Sequence, residues 1–241
     1  MKEARSRLIV ALDVPDRTTA LAAVDHLAGH VGIFKLGLQI FTREGPALVE
    51  EILHRGERVF LDLKLHDIPN TVAGAVRSAC SLGVEMLTLH ASGGRKMLEA
   101  AHEAARNAAS PPLLLAVTAL TSIAPEDARS IGVQESLASW AERLADLAFG
   151  AGIRGLVTSS HELPYLRGKF GDTMCFVIPG IRPSGTTAQD QARTATPADA
   201  IRAGAGYLVV GRPILEASDP ARAADQVVWE IAAALPKTQK Q

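Results

Sequence analysis

Eight short apolar runs recur along the chain: LIVALDV (8–14), VGIFKLG (31–37), VFLDLKL (59–65), MLTLHA (86–91), LLLAVTAL (113–120), GLVTSS (155–160), MCFVIPGI (174–181) and YLVVGRP (207–213). Most lack the alternation of a strand with one wet face, so they read as strands buried on both sides. Helical patterns fill the gaps. Residues 18–28 place Leu21, Val24 and Leu27 on one side, and Pro46 opens a helix carrying Leu48, Val49, Ile52 and Leu53 that ends near Gly56. Asn70 or Thr71 is the expected cap of a third, with Val72, Val76 and Ala79 before Gly83. Further helices are expected near 95–108, 133–149, 196–204 (opened by Thr196 and Pro197) and 220–235. Strands alternating with helices in this way predict an α/β chain folded as a (β/α)8 TIM barrel, a single domain over 1–241. A doubly wound sheet would carry fewer strands, usually with a glycine-rich turn after the first. Here LDVPDRT follows strand one, without G-x-G-x-x-G, and no G-x-x-x-x-G-K-[ST] occurs.

Bulk properties exclude several classes. With 25 basic and 26 acidic residues, no net field draws the chain to nucleic acid or to an anionic membrane. Cys80 and Cys175 lie in apolar stretches with no zinc-type spacing, so both are expected as small buried side chains and no metal site is expected. The start MKEARSRLIVALD is interrupted by Asp13 before any cleavable apolar segment is complete, so it does not read as a signal peptide. No run approaches the ~18 apolar residues of a membrane span. A cytoplasmic enzyme or binding protein is expected.

Charged and polar residues gather where the strands end. Asp13 closes strand one, Lys35 lies late in strand two, Asp62 and Lys64 late in strand three, and His90 near the end of strand four. Thr121 and Ser122 follow strand five, Arg182 strand seven and Arg212 strand eight. That is the carboxyl-terminal face, where barrels keep their active sites. Chance clustering of polar residues at strand exits explains scattered Ser and Thr. It explains Lys35 and Lys64 poorly, because a charge inside a buried strand needs partners. Strand periodicity points Asp62 and Lys64 to one face. Asp67 lies past the strand end, so periodicity leaves it free to fold over its own site or to reach a neighbouring subunit. Flanking carboxylates favour an ammonium at Lys64 over a nucleophilic amine, which argues against a Schiff-base aldolase and suits charge stabilisation and proton donation.

The last two strand ends resemble a phosphate site. Gly211 lets the backbone approach, Arg212 offers a forked donor, and a short helix is expected to begin near Pro213. Between Arg182 and Thr196 the polar segment RPSGTTAQDQARTAT reads as a lid over 182–196, in which Arg182 and Gln191 close on a phosphate.

The block DLKLHDIPNT (62–71), with ALDVPD (11–16), FKLG (34–37), AVTALTS (116–122), PGIRPSG (179–185) and GRPI (211–214) in order, resembles the orotidine 5'-phosphate decarboxylase family in its bacterial form, over almost the full length. The resemblance implies conversion of orotidine 5'-monophosphate to uridine 5'-monophosphate and carbon dioxide, in pyrimidine biosynthesis, by a carboxy-lyase without metal or organic cofactor. It implies that Lys64 protonates C6 of the pyrimidine and that Asp62, Asp67 and Lys35 complete a charged array. Asp67 and Thr71 would enter the partner's site in a homodimer. Asp13 and Lys35 would meet the ribose, Thr121 and Ser122 the base, and Gln191, Gly211 and Arg212 the phosphate, with Arg182 on the closing loop. His66 is assigned local hydrogen bonding. Ile178 stands where many relatives carry a small polar residue and is expected to alter packing beneath the lid. Two rivals remain. Magnesium-dependent sugar-phosphate decarboxylases share the Asp-x-Lys-x-x-Asp core, and Lys35 with TALTS argues against them. A non-catalytic phosphate-binding protein has no need of Asp62, Lys64 and Asp67 together.

Overall fold

The computed structural model describes residues 1–183 and 195–236. The eight apolar runs form eight parallel strands: β1 (Leu8–Ala11), β2 (Ile33–Gly37), β3 (Val59–Leu65), β4 (Met86–His90), β5 (Leu113–Val117), β6 (Gly155–Val157), β7 (Cys175–Ile178) and β8 (Tyr207–Val210). Each pairs with the next in parallel, and β8 pairs with β1 to close the barrel.

Both faces of each strand are used. Ile9, Ile33, Phe60, Met86, Leu115 and Val177 point inward and form a buried apolar plug. Their neighbours, among them Val10, Phe34, Leu61, Leu87, Leu114 and Phe176, face the helices and join the larger core between barrel and outer layer. This is why the strands look continuously apolar. Two residues beyond the plug, the same inward parity puts Ala11, Lys35 and Asp62 at the barrel mouth.

The helices are α1 (Lys2–Ser6), α2 (Arg17–Leu27), α3 (Leu38–Glu44), α4 (Pro46–His54), α5 (Pro69–Leu82), α6 (Arg95–Arg106), α7 (Pro125–Ser130), α8 (Leu137–Gly150), α9 (Leu163–Phe170), α10 (Pro197–Arg202), α11 (Arg212–Leu215) and α12 (Pro220–Ala234). Thr196 caps α10 as expected, its side chain accepting from the Asp199 N–H. The expected cap of α5 is corrected. Ile68, not Asn70 or Thr71, is its N-cap residue, because Pro69, whose fixed φ suits the first helical position, opens the helix before Asn70, and no side chain caps it. The expected helix over 133–149 begins later, at Leu137, capped by Ser136, and the short α7 precedes it. The cysteines are also corrected. Both are free and only partly buried, and burial pushes the Cys175 thiol up to about 11. Ile178 is fully buried in the core between barrel and helices, on the face of β7 turned away from the plug. Among the described residues no helix is long and apolar enough to cross a membrane.

Phe34 is fully buried on the outer face of β2. Phe34→Ala is expected to lower unfolding free energy by about 3–5 kcal/mol in urea titrations, through lost transfer energy plus an unfilled cavity. Trp229→Ala, on an exposed side chain, should stay within about 0.5 kcal/mol.

Candidate active site

The barrel mouth holds a cavity of about 260 Å³, and its lining is divided. Strands β1 to β3 contribute Asp13, just past β1, with Lys35, Asp62 and Lys64. Strands β5 to β8 contribute Val117, Val157, Val177 and Val209. Thr121, Gly180, Arg182 and Gly211 lie on the loops that follow the strands, and Arg212 opens α11 just after β8.

The charges alternate in sign along a chain of contacts. Lys35 Nζ donates to Asp13 Oδ1 at 3.3 Å and lies 3.4 Å from Asp62 Oδ2. Lys64 Nζ donates to Asp62 Oδ1 at 2.8 Å. Lys35 and Asp62 side chains are only 10% and 13% exposed, so their pairing is not optional. Burial works against the Asp62 carboxylate. The Lys35 and Lys64 ammonium groups and the hydrogen bonds from Lys64 and Thr88 outweigh it and hold the carboxyl below the usual range. Gly37 leaves room for this chain: a Cβ there would stand 3.3 Å from Lys35 Nζ and 3.4 Å from Asp13 Oδ1.

Lys64 reaches Asp62 by an unexpected route. Same-face periodicity predicts their proximity, but Lys64 has φ 49°, the one positive φ at a non-glycine position among the described residues. Such a conformation costs of order 1–3 kcal/mol and persists only where its surroundings over-determine it. The β3–β4 register shifts here: Leu61 aligns with Leu87 and Leu65 with Leu89. Four steps on β3 therefore match two on β4, and residues 62–64 bulge opposite Thr88. Gly180, with φ 75°, gives the turn after β7 a left-handed conformation that glycine adopts without strain.

The cavity gathers Asp13, Lys35, Asp62, Lys64, Thr121, Arg182, Gly211 and Arg212 from the residues expected at a site. Ser122 is exposed and does not line it. Asp67 and Thr71 are exposed outside it, with Asp67 Oδ1 accepting from the Ile68 N–H at 2.6 Å. Gln191 and most of the expected 182–196 lid lie outside the described residues. The His66 and His90 rings pack against each other at a tilt of 43°, centroids 5.5 Å apart. Burial, with the charges of His66 and Lys64, pushes the His90 imidazole below its ordinary value against the pull of Asp62. Sequence reasoning missed Thr88 and the valine wall. For Thr88 there was a signal: it is the polar residue inside MLTLH with the same inward parity as Met86 and His90.

Comparison with known proteins bears on this geometry. The family model described as "Orotidine 5'-phosphate decarboxylase / HUMPS family" matches residues 6–227. An orotidine 5'-phosphate decarboxylase of Syntrophotalea carbinolica is 50% identical over 238 residues, covering 97% of this chain and 98% of the relative. One from Moorella thermoacetica is 47% identical, covering 95% and 93%. The crystal structure of orotidine 5'-phosphate decarboxylase from Lactobacillus acidophilus superposes with a TM-score of 0.84 at 34% identity, covering 93% of this chain and 98% of that one.

The depressed Asp62 carboxyl has a pH signature. Because its folded-state pKa lies below the unfolded one, its contribution to stability is fully present above the unfolded value, about 3.9, and is lost as pH falls through the folded value. The stability of wild type relative to Asp62→Asn, from urea titrations at stepped pH, should therefore hold steady above about pH 5 and drop below about pH 4. A difference constant across that range would contradict the assignment.

Proposed function

The chain belongs to the orotidine 5'-phosphate decarboxylase / HUMPS family, and from that premise we propose that it converts orotidine 5'-monophosphate to uridine 5'-monophosphate and carbon dioxide, as a carboxy-lyase. The observation that carries the reading is the Lys64 ammonium held 2.8 Å from Asp62 at the mouth of a cavity that also contains Arg212.

Breaking the bond from C6 to the carboxylate leaves its electron pair on C6, in the plane of the pyrimidine, where the ring π system does not delocalise it. Lys64 stabilises that pair electrostatically and then donates the proton that forms the C6–H bond. Asp62 holds Lys64 in place and stands beside the departing carboxylate. Lys35 and Asp13 serve the ribose, Thr121 the base edge, and Arg182, Gly211 and Arg212 the phosphate. Binding the phosphate at a distance from C6 lets remote contacts contribute to the chemical step. The reaction proceeds without metal or organic cofactor in this reading. Both oxygens of Asp62 already face ammonium groups, so the carboxylate that a magnesium-dependent enediolate chemistry would recruit is committed. A phosphorylated nucleotide does not cross a bilayer unaided, so the enzyme shares a compartment with its substrate, which in this reading is the cytoplasm.

We further propose a homodimer in which Asp67 and Thr71 complete the partner's site. The support is that both are exposed beside the mouth, outside their own cavity, next to Ile68, an exposed large apolar side chain.

Purified protein should release carbon dioxide from orotidine 5'-monophosphate after thorough chelation and with nothing added; no release by the folded wild type would reject the reading. Lys64→Ala should lower kcat by at least ~10³-fold with thermal stability retained. Arg212→Ala should raise KM roughly 10–100-fold, the worth of a charged hydrogen bond to phosphate. Co-refolding inactive Lys64→Ala with inactive Asp67→Ala tests the dimer. Each heterodimer regains one intact site, so roughly a quarter of wild-type activity should return. No recovery in a verified heterodimer would show that Asp67 serves its own chain.

A further inference from the structure

We propose that Thr88 is a positioning residue for the reaction: its single hydroxyl sets both the backbone of Lys64 and the orientation of the Asp62 carboxylate. The proposal rests on the reading above that Lys64 and Asp62 carry the chemistry.

Thr88 lies in the middle of β4 and is fully buried. It is not part of the cavity lining, so it acts through other residues. The Lys64 N–H donates to Thr88 Oγ1 at 2.9 Å, and Thr88 Oγ1 donates to Asp62 Oδ1 at 2.9 Å. A hydroxyl has one proton to give and two lone pairs to receive with. It can therefore satisfy an N–H and a carboxylate at once.

The place of these bonds gives them their consequence. Residues 62–64 bulge against Thr88 because the register shifts between Leu61 and Leu65. Lys64 sits in that bulge with φ 49°. A bond on its own N–H is a restraint that favours the left-handed conformation over relaxation into ordinary strand geometry. The second bond works on Asp62. By taking a place on Oδ1, Thr88 fixes the rotation of the carboxylate so that Oδ1 meets Lys64 and Oδ2 meets Lys35. Without it the carboxylate can turn, and the two ammonium groups lose their separate oxygens. Both effects move Lys64 Nζ and neither touches the phosphate end of the cavity. Loss of the hydroxyl is therefore expected in kcat and not in KM, since a small misplacement of a reacting group is costly while ground-state binding is retained.

The test compares Thr88→Val, which keeps the shape and removes the hydroxyl, with Thr88→Ser, which keeps the hydroxyl. Thr88→Val should lower kcat roughly 10–100-fold with KM within about threefold, and Thr88→Ser should keep kcat within about threefold. A Thr88→Val enzyme with wild-type kcat, or a Thr88→Ser enzyme as impaired as Thr88→Val, would overturn the proposal. Should Thr88→Val fail to fold, Thr88→Ala takes its place with the same expectation, and wild-type kcat in that variant would overturn it. Crystal structures of wild type and variant give a readout independent of substrate. In the variant, Lys64 should leave the positive-φ region or its Nζ should lose hydrogen-bond contact with Asp62; an unchanged Lys64 and Asp62 would also overturn the proposal. If the wild type released no carbon dioxide, the functional reading would fall, while the two crystal structures would still decide what Thr88 positions.

Discussion

Asp62 is shared by two ammonium groups, one on each oxygen, and the organisation of the barrel mouth follows from that sharing. Lys35 and Lys64 come from adjacent strands and converge on the same small volume. Like charges brought together in a partly buried setting repel each other, so the two ammonium groups would oppose one another without the carboxylate. The carboxylate between them turns that repulsion into two attractions, and Asp13 at the outer end of the array extends the alternation. The arrangement needs β1, β2 and β3 to be neighbours with matched registers. The closed parallel barrel supplies this, aligning Ala11 with Lys35 and Gly37 with Asp62.

The rest of the cavity is complementary. Opposite the charged half stands a wall of valines from β5 to β8, with Arg182 on the loop after β7 and Arg212 at the start of α11. In the proposed reaction such a division orients a nucleotide, because its phosphate, its ribose and the carbon that loses its substituent each find a different surface. An apolar wall also lowers the local dielectric around the array, which strengthens every charge interaction within it. The strained backbone at Lys64 belongs to the same picture. A long flexible side chain is held by shifting its own main chain, so its ammonium is set before a substrate arrives.

Much of this was legible in the chain. Strands buried on both faces leave continuous apolar runs, and all eight runs became strands. Helices with long apolar stripes and glycine or proline punctuation, such as α4, α6 and α12, were equally readable. The short α3 was not: it springs directly from β2 at Gly37 with no side-chain cap. The short α9 likewise starts without a side-chain cap, at Glu162. Parity placed Asp62 and Lys64 on one face because a strand has period two. In the loop after β5 no period exists, and so nothing in the order of residues separated Thr121, which lines the cavity, from Ser122, which does not.

The sequence by itself determined the barrel, the face that bears the site and the residue types available there, since these depend on local periodicity and on the cost of burying charge. Only the tertiary structure decided that Lys64 lies in a left-handed bulge and that Thr88 bonds both it and Asp62. A lysine carries no intrinsic signal for positive φ, and a threonine is ordinary in a strand. Their roles arise from the register between β3 and β4, a relation between segments some 25 residues apart that no local pattern encodes.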